Sequence, residues 1–170
     1  MAPIWQANWS EHKPEGITPI WLDWLLEAGS LTARLQRTGR AFSLHLVRQQ
    51  DIELPAFLQQ RWQTRHGLLR EVVLLLDQQP CIYAQSFLPD HTVLALQPLA
   101  MLGAVPLGHY IFTQPELSRS TIEIAEFAEG LQLPGLGVLP QLWGRRSYFT
   151  LSQHELLVQE LYLPALTEFI

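Results

Sequence analysis

His66-Gly67-Leu68-Leu69-Arg70-Glu71-Val72-Val73-Leu74-Leu75-Leu76 is apolar almost throughout and carries an arginine at its centre. Such a run reads as a central β-strand. With a period of two, Leu68, Arg70, Val72 and Leu74 share one face, and Leu69, Glu71, Val73 and Leu75 share the other. An arginine stays charged, and a buried unpaired charge costs several kcal/mol. Arg70 therefore snorkels to water, pairs with a buried carboxylate, or receives an anionic ligand. The rest of the chain has to decide among these.

Asp77-Gln78-Gln79-Pro80 turns the chain, and Cys81 to Leu88 returns as an antiparallel partner. Upstream, Ala41 to Arg48 alternates as another strand, with Phe42, Leu44 and Leu46 on one face. Residues 49–65 read as an irregular or short helical connection. Before these strands come two helices. Thr18 caps the first, with Pro19 at its first position, and Gly29 ends it. Ser30 caps the second, which fills about two turns up to Gly39. Residues 1–17 read as a loosely ordered arm whose Trp5 and Trp9 dock on the domain.

Downstream, Leu94 to Leu102 is a short helix closed by Gly103, and Val105 to Phe112 a tight or helical turn packed on the sheet. Arg119 to Ala128 alternates again. Gly130 to Pro140 reads as a long loop. Leu142 to Leu151 and Glu155 to Leu163 are the last strands, joined by Ser152-Gln153-His154. Short turns between most neighbouring strands exclude parallel crossovers for those pairs. The expected fold is α+β, a mainly antiparallel six-stranded sheet with helices on one face.

The chain has 170 residues, which suits a single domain spanning residues 1–170. A net charge of −5 and no Lys/Arg run argue against nucleic-acid binding. Lys13 is the only lysine, so the other basic residues are arginines, suited to gripping carboxylates. Cys81 is the only cysteine, so no internal disulfide forms, and it reads as a small buried hydrophobe. Neither a signal peptide nor a bilayer-spanning apolar run is present. These features predict a soluble, cytoplasmic protein. The six histidines show no metal-binding spacing, and Gly135-Leu136-Gly137 lacks a dinucleotide fingerprint's context.

What remains are charges embedded in apolar strands. Glu160 shares a strand face with Leu156, Val158 and Tyr162, where a carboxylate is either desolvated or held by a donor. Arg70 and Glu160 neutralise each other, or Glu160 faces solvent on an edge strand, or both converge on one anionic, partly apolar ligand. Arg145 and Arg146 point to opposite faces, and Glu123 and Glu126 are available as partners.

Several segments together resemble the chorismate–pyruvate lyase family. They are Leu22-Asp23-Trp24-Leu25-Leu26, Leu68-Leu69-Arg70-Glu71, Val105 to Phe112, Ile122-Glu123-Ile124, Leu142 to Ser147 and Glu160 to Ala165. Trp143-Gly144-Arg145-Arg146-Ser147 and Glu160-Leu161-Tyr162-Leu163-Pro164-Ala165 are the most specific. The resemblance implies an internal site under helical lids and a cofactor-free conversion of chorismate to 4-hydroxybenzoate and pyruvate for the ubiquinone head group. It places the ligand-binding arginine at Arg70, the glutamate at Glu160, a backbone contact at Leu107 and an apolar lid residue at Leu31. Glu160 would orient the ring hydroxyl or act as a base. Arg145, Arg146 and His109 are weaker candidates for the pyruvyl carboxylate. No metal or other cofactor is implied, and a monomer with slow product release is expected.

Two departures stand out. Ala84-Gln85-Ser86 replaces a Gly-Arg-Thr of a known member, which removes a positive charge expected to help with the second carboxylate. The 130–141 loop is longer than expected. The alternative from another class is a non-catalytic effector-binding domain of the same fold. The ~20 residues before the first helix are too few for an attached DNA-binding domain.

Overall fold

The computed structural model describes residues 5–170. Two helices come first, α1 (Pro19–Leu25) and α2 (Leu31–Gln36). Strand β1 (Phe42–Glu53), helix α3 (Ala56–Trp62) and strands β2 (His66–Leu76) and β3 (Gln79–Pro89) follow. Next are three short helices, α4 (Asp90–Ala95), α5 (Gln97–Ala100) and α6 (Leu107–Ile111). The remaining strands are β4 (Ser118–Arg119), β5 (Glu123–Phe127), β6 (Leu131–Leu133), β7 (Gly137–Leu139), β8 (Leu142–Leu151) and β9 (His154–Tyr162). A 3-10 turn, Pro164–Glu168, ends the chain.

The main sheet has seven strands in the order β1-β2-β3-β9-β8-β4, with β5 also paired to β8. Every pairing is antiparallel, and the fold is α+β as expected. The seventh strand arises because the 119–128 run is split by residues 120–122 into β4 and β5. The 130–140 segment is not a plain loop. It folds into the β6–β7 hairpin around Pro134 and Gly135. β1 runs five residues past Arg48, to Glu53, beyond a bulge at Val47 that breaks the alternation.

Both helix-entry signals hold. The Thr18 hydroxyl accepts from the Trp21 N–H, and the Ser30 hydroxyl accepts from the Ala33 N–H. The β2–β3 and β8–β9 hairpins close with two residues each, Asp77-Gln78 and Ser152-Gln153, all at positive φ. That is the backbone twist a tight hairpin needs, here adopted without glycine. Gly67, by contrast, is sterically required, because a Cβ there would lie 2.3 Å from the Leu88 carbonyl oxygen.

Both faces of the sheet are covered. α1, α2, α4, α5 and α6 lie on the face of Arg70, packing on residues such as Val72, Leu74, Leu88 and Val158. α3 packs on the other face, where Leu58 and Trp62 meet Leu69, Phe87 and Leu157. The β6–β7 hairpin and the N-terminal arm cover the rest of that second face. The arm docks through Trp5, buried edge-on against Tyr83, and through a backbone bridge from Ser10 to Ile124. Residues 1–4 of the expected arm lie outside the described residues.

Candidate active site

The register of the sheet assembles the site. Arg70 on β2 faces Ser86 on β3, and Ala84 on β3 faces Glu160 on β9. Arg70 and Glu160 thus share a face, two strands and two residues apart. At ordinary sheet spacings this is about 10 Å across and about 7 Å along. Between them the floor is built of small side chains, Ala84 and Ser86, flanked by Val72 and Val158. Leu31 of α2 and Leu107 of α6 form part of the roof. The cavity has ≈ 560 Å³ of atom-free space, part of it open to solvent.

The two lids touch each other. A Cβ on Gly108 would lie 3.0 Å from the Ser30 hydroxyl, so glycine lets α6 approach the start of α2. Leu31 and Leu107 are the first residues of their helices. Their N–H groups have no intrahelical acceptor.

Arg70 is 2 % exposed. Its Nη1 donates to the Gly103 carbonyl at 2.7 Å and its Nη2 to the Val105 carbonyl at 2.8 Å. Among the described residues it has no carboxylate partner. Burial alone pulls its pKa down. The carbonyls hold the fork in place, and they leave its charge uncompensated.

Glu160 is not the partner of Arg70. It pairs with Arg145, whose Nε donates to Glu160 Oε2 at 2.6 Å. Arg145 also donates through Nη1 to the carbonyls of Leu25 and Glu27. Burial opposes its charge, yet Glu160, Tyr162 and Glu27 outweigh burial and hold its pKa above the ordinary value. Glu160 Oε1 carries no protein hydrogen bond among the described residues.

Of the weaker candidates, the structure brings only Arg145 to the cavity. Arg146 points to the opposite face and pairs there with Glu123 at 2.7 Å. His109 is exposed on the outside of α6. The expectation about Gln85 is also corrected. A bulge between Leu74 and Leu75 leaves Cys81 unpaired and sets Ser86, rather than Gln85, opposite Arg70. Gln85 therefore lies on the second face, where it is buried and donates to Glu71 at 2.7 Å. A charge at that position would not reach this cavity from within the sheet.

Arg119 lines the cavity and was not among the residues singled out from the sequence. It comes from β4, opposite Phe149. Nothing in its local pattern marks it, because its hydrogen-bond partners lie far away in the chain, at Ser147, Glu27 and Ala28. Among the described residues no group of His, Cys, Asp and Glu is placed to hold a metal ion. None of the described helices is long and apolar enough to cross a membrane.

A sequence profile described as Chorismate lyase matches residues 4–168. The chain belongs to the chorismate lyase family. A protein of Pseudoalteromonas translucida named a probable chorismate pyruvate-lyase is 41 % identical over 154 residues, covering 84 % of this chain and 83 % of its own. The chorismate pyruvate-lyase of Escherichia coli is 36 % identical, covering 88 % of this chain and 86 % of its own. Among solved structures, the effector domain of PhnF from Mycobacterium smegmatis superposes with a TM-score of 0.59 at 17 % identity, covering 81 % of this chain and 90 % of that one. At that identity the likeness speaks to the fold alone. In this lyase-family chain the buried, carboxylate-free Arg70 and the Arg145-held Glu160 frame one cavity.

Proposed function

We propose that the chain is a chorismate–pyruvate lyase working in the cavity between Arg70 and Glu160. Family membership and the relatives' names support the reaction. The observation that carries the site is Arg70, a buried guanidinium held by carbonyls and left without a carboxylate. A structural ion pair has no use for such an arrangement, whereas an anionic ligand completes it.

Chorismate is a dianion, with one carboxylate on a cyclohexadiene ring and a second on an enolpyruvyl ether. Breaking the ring carbon–oxygen bond and removing the proton from the hydroxyl-bearing carbon leaves an aromatic ring. The departing enol takes up a proton and becomes pyruvate. Aromatisation drives the step, and the protein orients the ring, balances its charge and excludes water.

Arg70 grips the ring carboxylate, with Leu31 and Leu107 in the cavity roof. The ring lies over Ala84 and Ser86. Glu160 receives the ring hydroxyl through Oε1 while Arg145 keeps Oε2 in place. The same carboxylate serves as the acceptor of the departing ring proton. The product keeps both the ring carboxylate and the hydroxyl, so both grips persist after cleavage. Slow release and product inhibition follow. The enzyme acts as a cytoplasmic monomer at the start of ubiquinone head-group synthesis. A buried lone thiol and the acidic net charge agree with this setting.

Incubating purified protein with chorismate and quantifying both products tests the reading. Equimolar 4-hydroxybenzoate and pyruvate support it. Binding of 4-hydroxybenzoate without any turnover would instead mark an effector-binding domain of this fold.

A further inference from the structure

We propose that Arg119 binds the second carboxylate of the substrate, the one on the enolpyruvyl side chain. The assignment rests on the lyase reading above. In chorismate the ether-bearing ring carbon adjoins the hydroxyl-bearing one. With the ring carboxylate at Arg70 and the hydroxyl at Glu160, the enolpyruvyl group falls at the Glu160 end of the cavity. A second carboxylate there needs a cation that is not already spent.

The sheet offers two. Arg145 on β8 has its charge met by the Glu160 carboxylate through Nε, and its Nη1 donates to the carbonyls of Leu25 and Glu27. Arg119 lies one strand further, on β4. Its Nε donates to the Ser147 hydroxyl at 2.9 Å, and its Nη1 to the carbonyls of Glu27 at 3.0 Å and Ala28 at 3.1 Å. All these acceptors are neutral, and no carboxylate pairs with it among the described residues. Its guanidinium carbon stands 4.8 Å from the centre of the Phe149 ring, which also lines the cavity. Burial first, and then the charge of Arg145, hold its pKa down to about 10. A guanidinium does not give up its proton at neutral pH, so the cost is borne as an uncompensated charge. An anionic ligand relieves it.

Across the sheet the charges then run Arg70, Glu160 with Arg145, Arg119. Two uncompensated arginines, one at each end, match a substrate with two carboxylates. The aromatic product carries one carboxylate and has nothing for Arg119. Arg119 therefore distinguishes substrate from product, whereas Arg70 holds both.

The test compares Arg119→Gln and Arg119→Lys with the wild type, measuring kcat/KM for chorismate and the inhibition constant of 4-hydroxybenzoate. The Gln variant is expected to lose about 10- to 100-fold in kcat/KM, the range of a charged hydrogen-bond contact. The Lys variant recovers part of this loss. Both keep the 4-hydroxybenzoate constant within about twofold, on the scale where a lost contact would be tenfold. An unchanged kcat/KM in the Gln variant overturns the assignment. So does an equal loss in kcat/KM and in 4-hydroxybenzoate binding, which marks Arg119 as a brace for the loop at Glu27 and Ala28. Wild-type protein that turns over no chorismate overturns the lyase reading itself, and this assignment with it.

Discussion

Arg70 and Glu160 share one face of the sheet, two strands apart, yet neither neutralises the other: Arg70 is bonded to the carbonyls of Gly103 and Val105, and Glu160 to Arg145. Opposite charges close enough to serve one ligand are thus kept apart by separate protein partners. The consequence is a cavity with, among the described residues, a cation unmet by any carboxylate toward one end and a fixed anion toward the other.

Glu160→Gln is expected to reduce turnover by about 100-fold or more, as for loss of a general base. It also leaves Arg145 buried without its counter-charge, costing about 3 kcal/mol of stability by urea denaturation. The double variant Arg145→Met with Glu160→Leu should regain much of that stability and no activity. Full activity in Glu160→Gln would remove Glu160 from the chemistry.

Ala84→Leu places a larger side chain on the cavity floor. The added atoms would fill the space proposed for the ring and exclude the ligand. The increase in melting temperature that 4-hydroxybenzoate gives the wild type should vanish in this variant. A retained increase would place the ring elsewhere.

Glu155 gives a pH-dependent prediction away from the site. It accepts from Arg61 at 2.5 and 3.0 Å and from the Trp62 indole at 2.7 Å. Burial opposes its charge, but these donors outweigh it and hold the pKa below the ordinary value of 4.5. A lowered carboxylate pKa contributes stability above the unfolded value, and that stability is lost as pH falls through the folded one. Arg61 is partly solvated, so screening keeps the figure near 1 kcal/mol. Glu155→Gln should therefore cost about 1 kcal/mol at pH 7, and the difference from wild type should shrink below about pH 4.5. A constant difference across that range would exclude the carboxylate as its source.

Cys81 is fully buried on β3, and burial pushes its thiol up to about 11. Disulfide-exchange reagents at pH 8 should leave it unmodified in the native protein and label it after unfolding. Rapid labelling of the native protein would contradict its burial.

Strand β2 was legible because it is apolar almost throughout and pairs with β3 without a bulge from Leu68 to Leu74. The Thr18 and Ser30 caps were legible because capping is local chemistry. Bulges were not. The extra residue at Val47 hid the second half of β1, and the one at Cys81 turned Gln85 away from the cavity and Ser86 toward it. The Arg145–Glu160 pair follows from a two-residue turn at Ser152-Gln153, since residues equidistant from that turn face each other. A turn taken as three residues, through His154, conceals that register. Arg119 was hidden for a different reason, because its carbonyl partners come from a loop some ninety positions upstream.

The proposed function requires that the charge of Arg70 be reserved for a ligand carboxylate. Titrating 4-hydroxybenzoate into wild-type protein and into Arg70→Met by calorimetry tests it most directly. Binding to the wild type and at least about 30-fold weaker binding to the variant are expected, as for loss of a charge-assisted bidentate contact. Equal affinity in a folded Arg70→Met variant would contradict it.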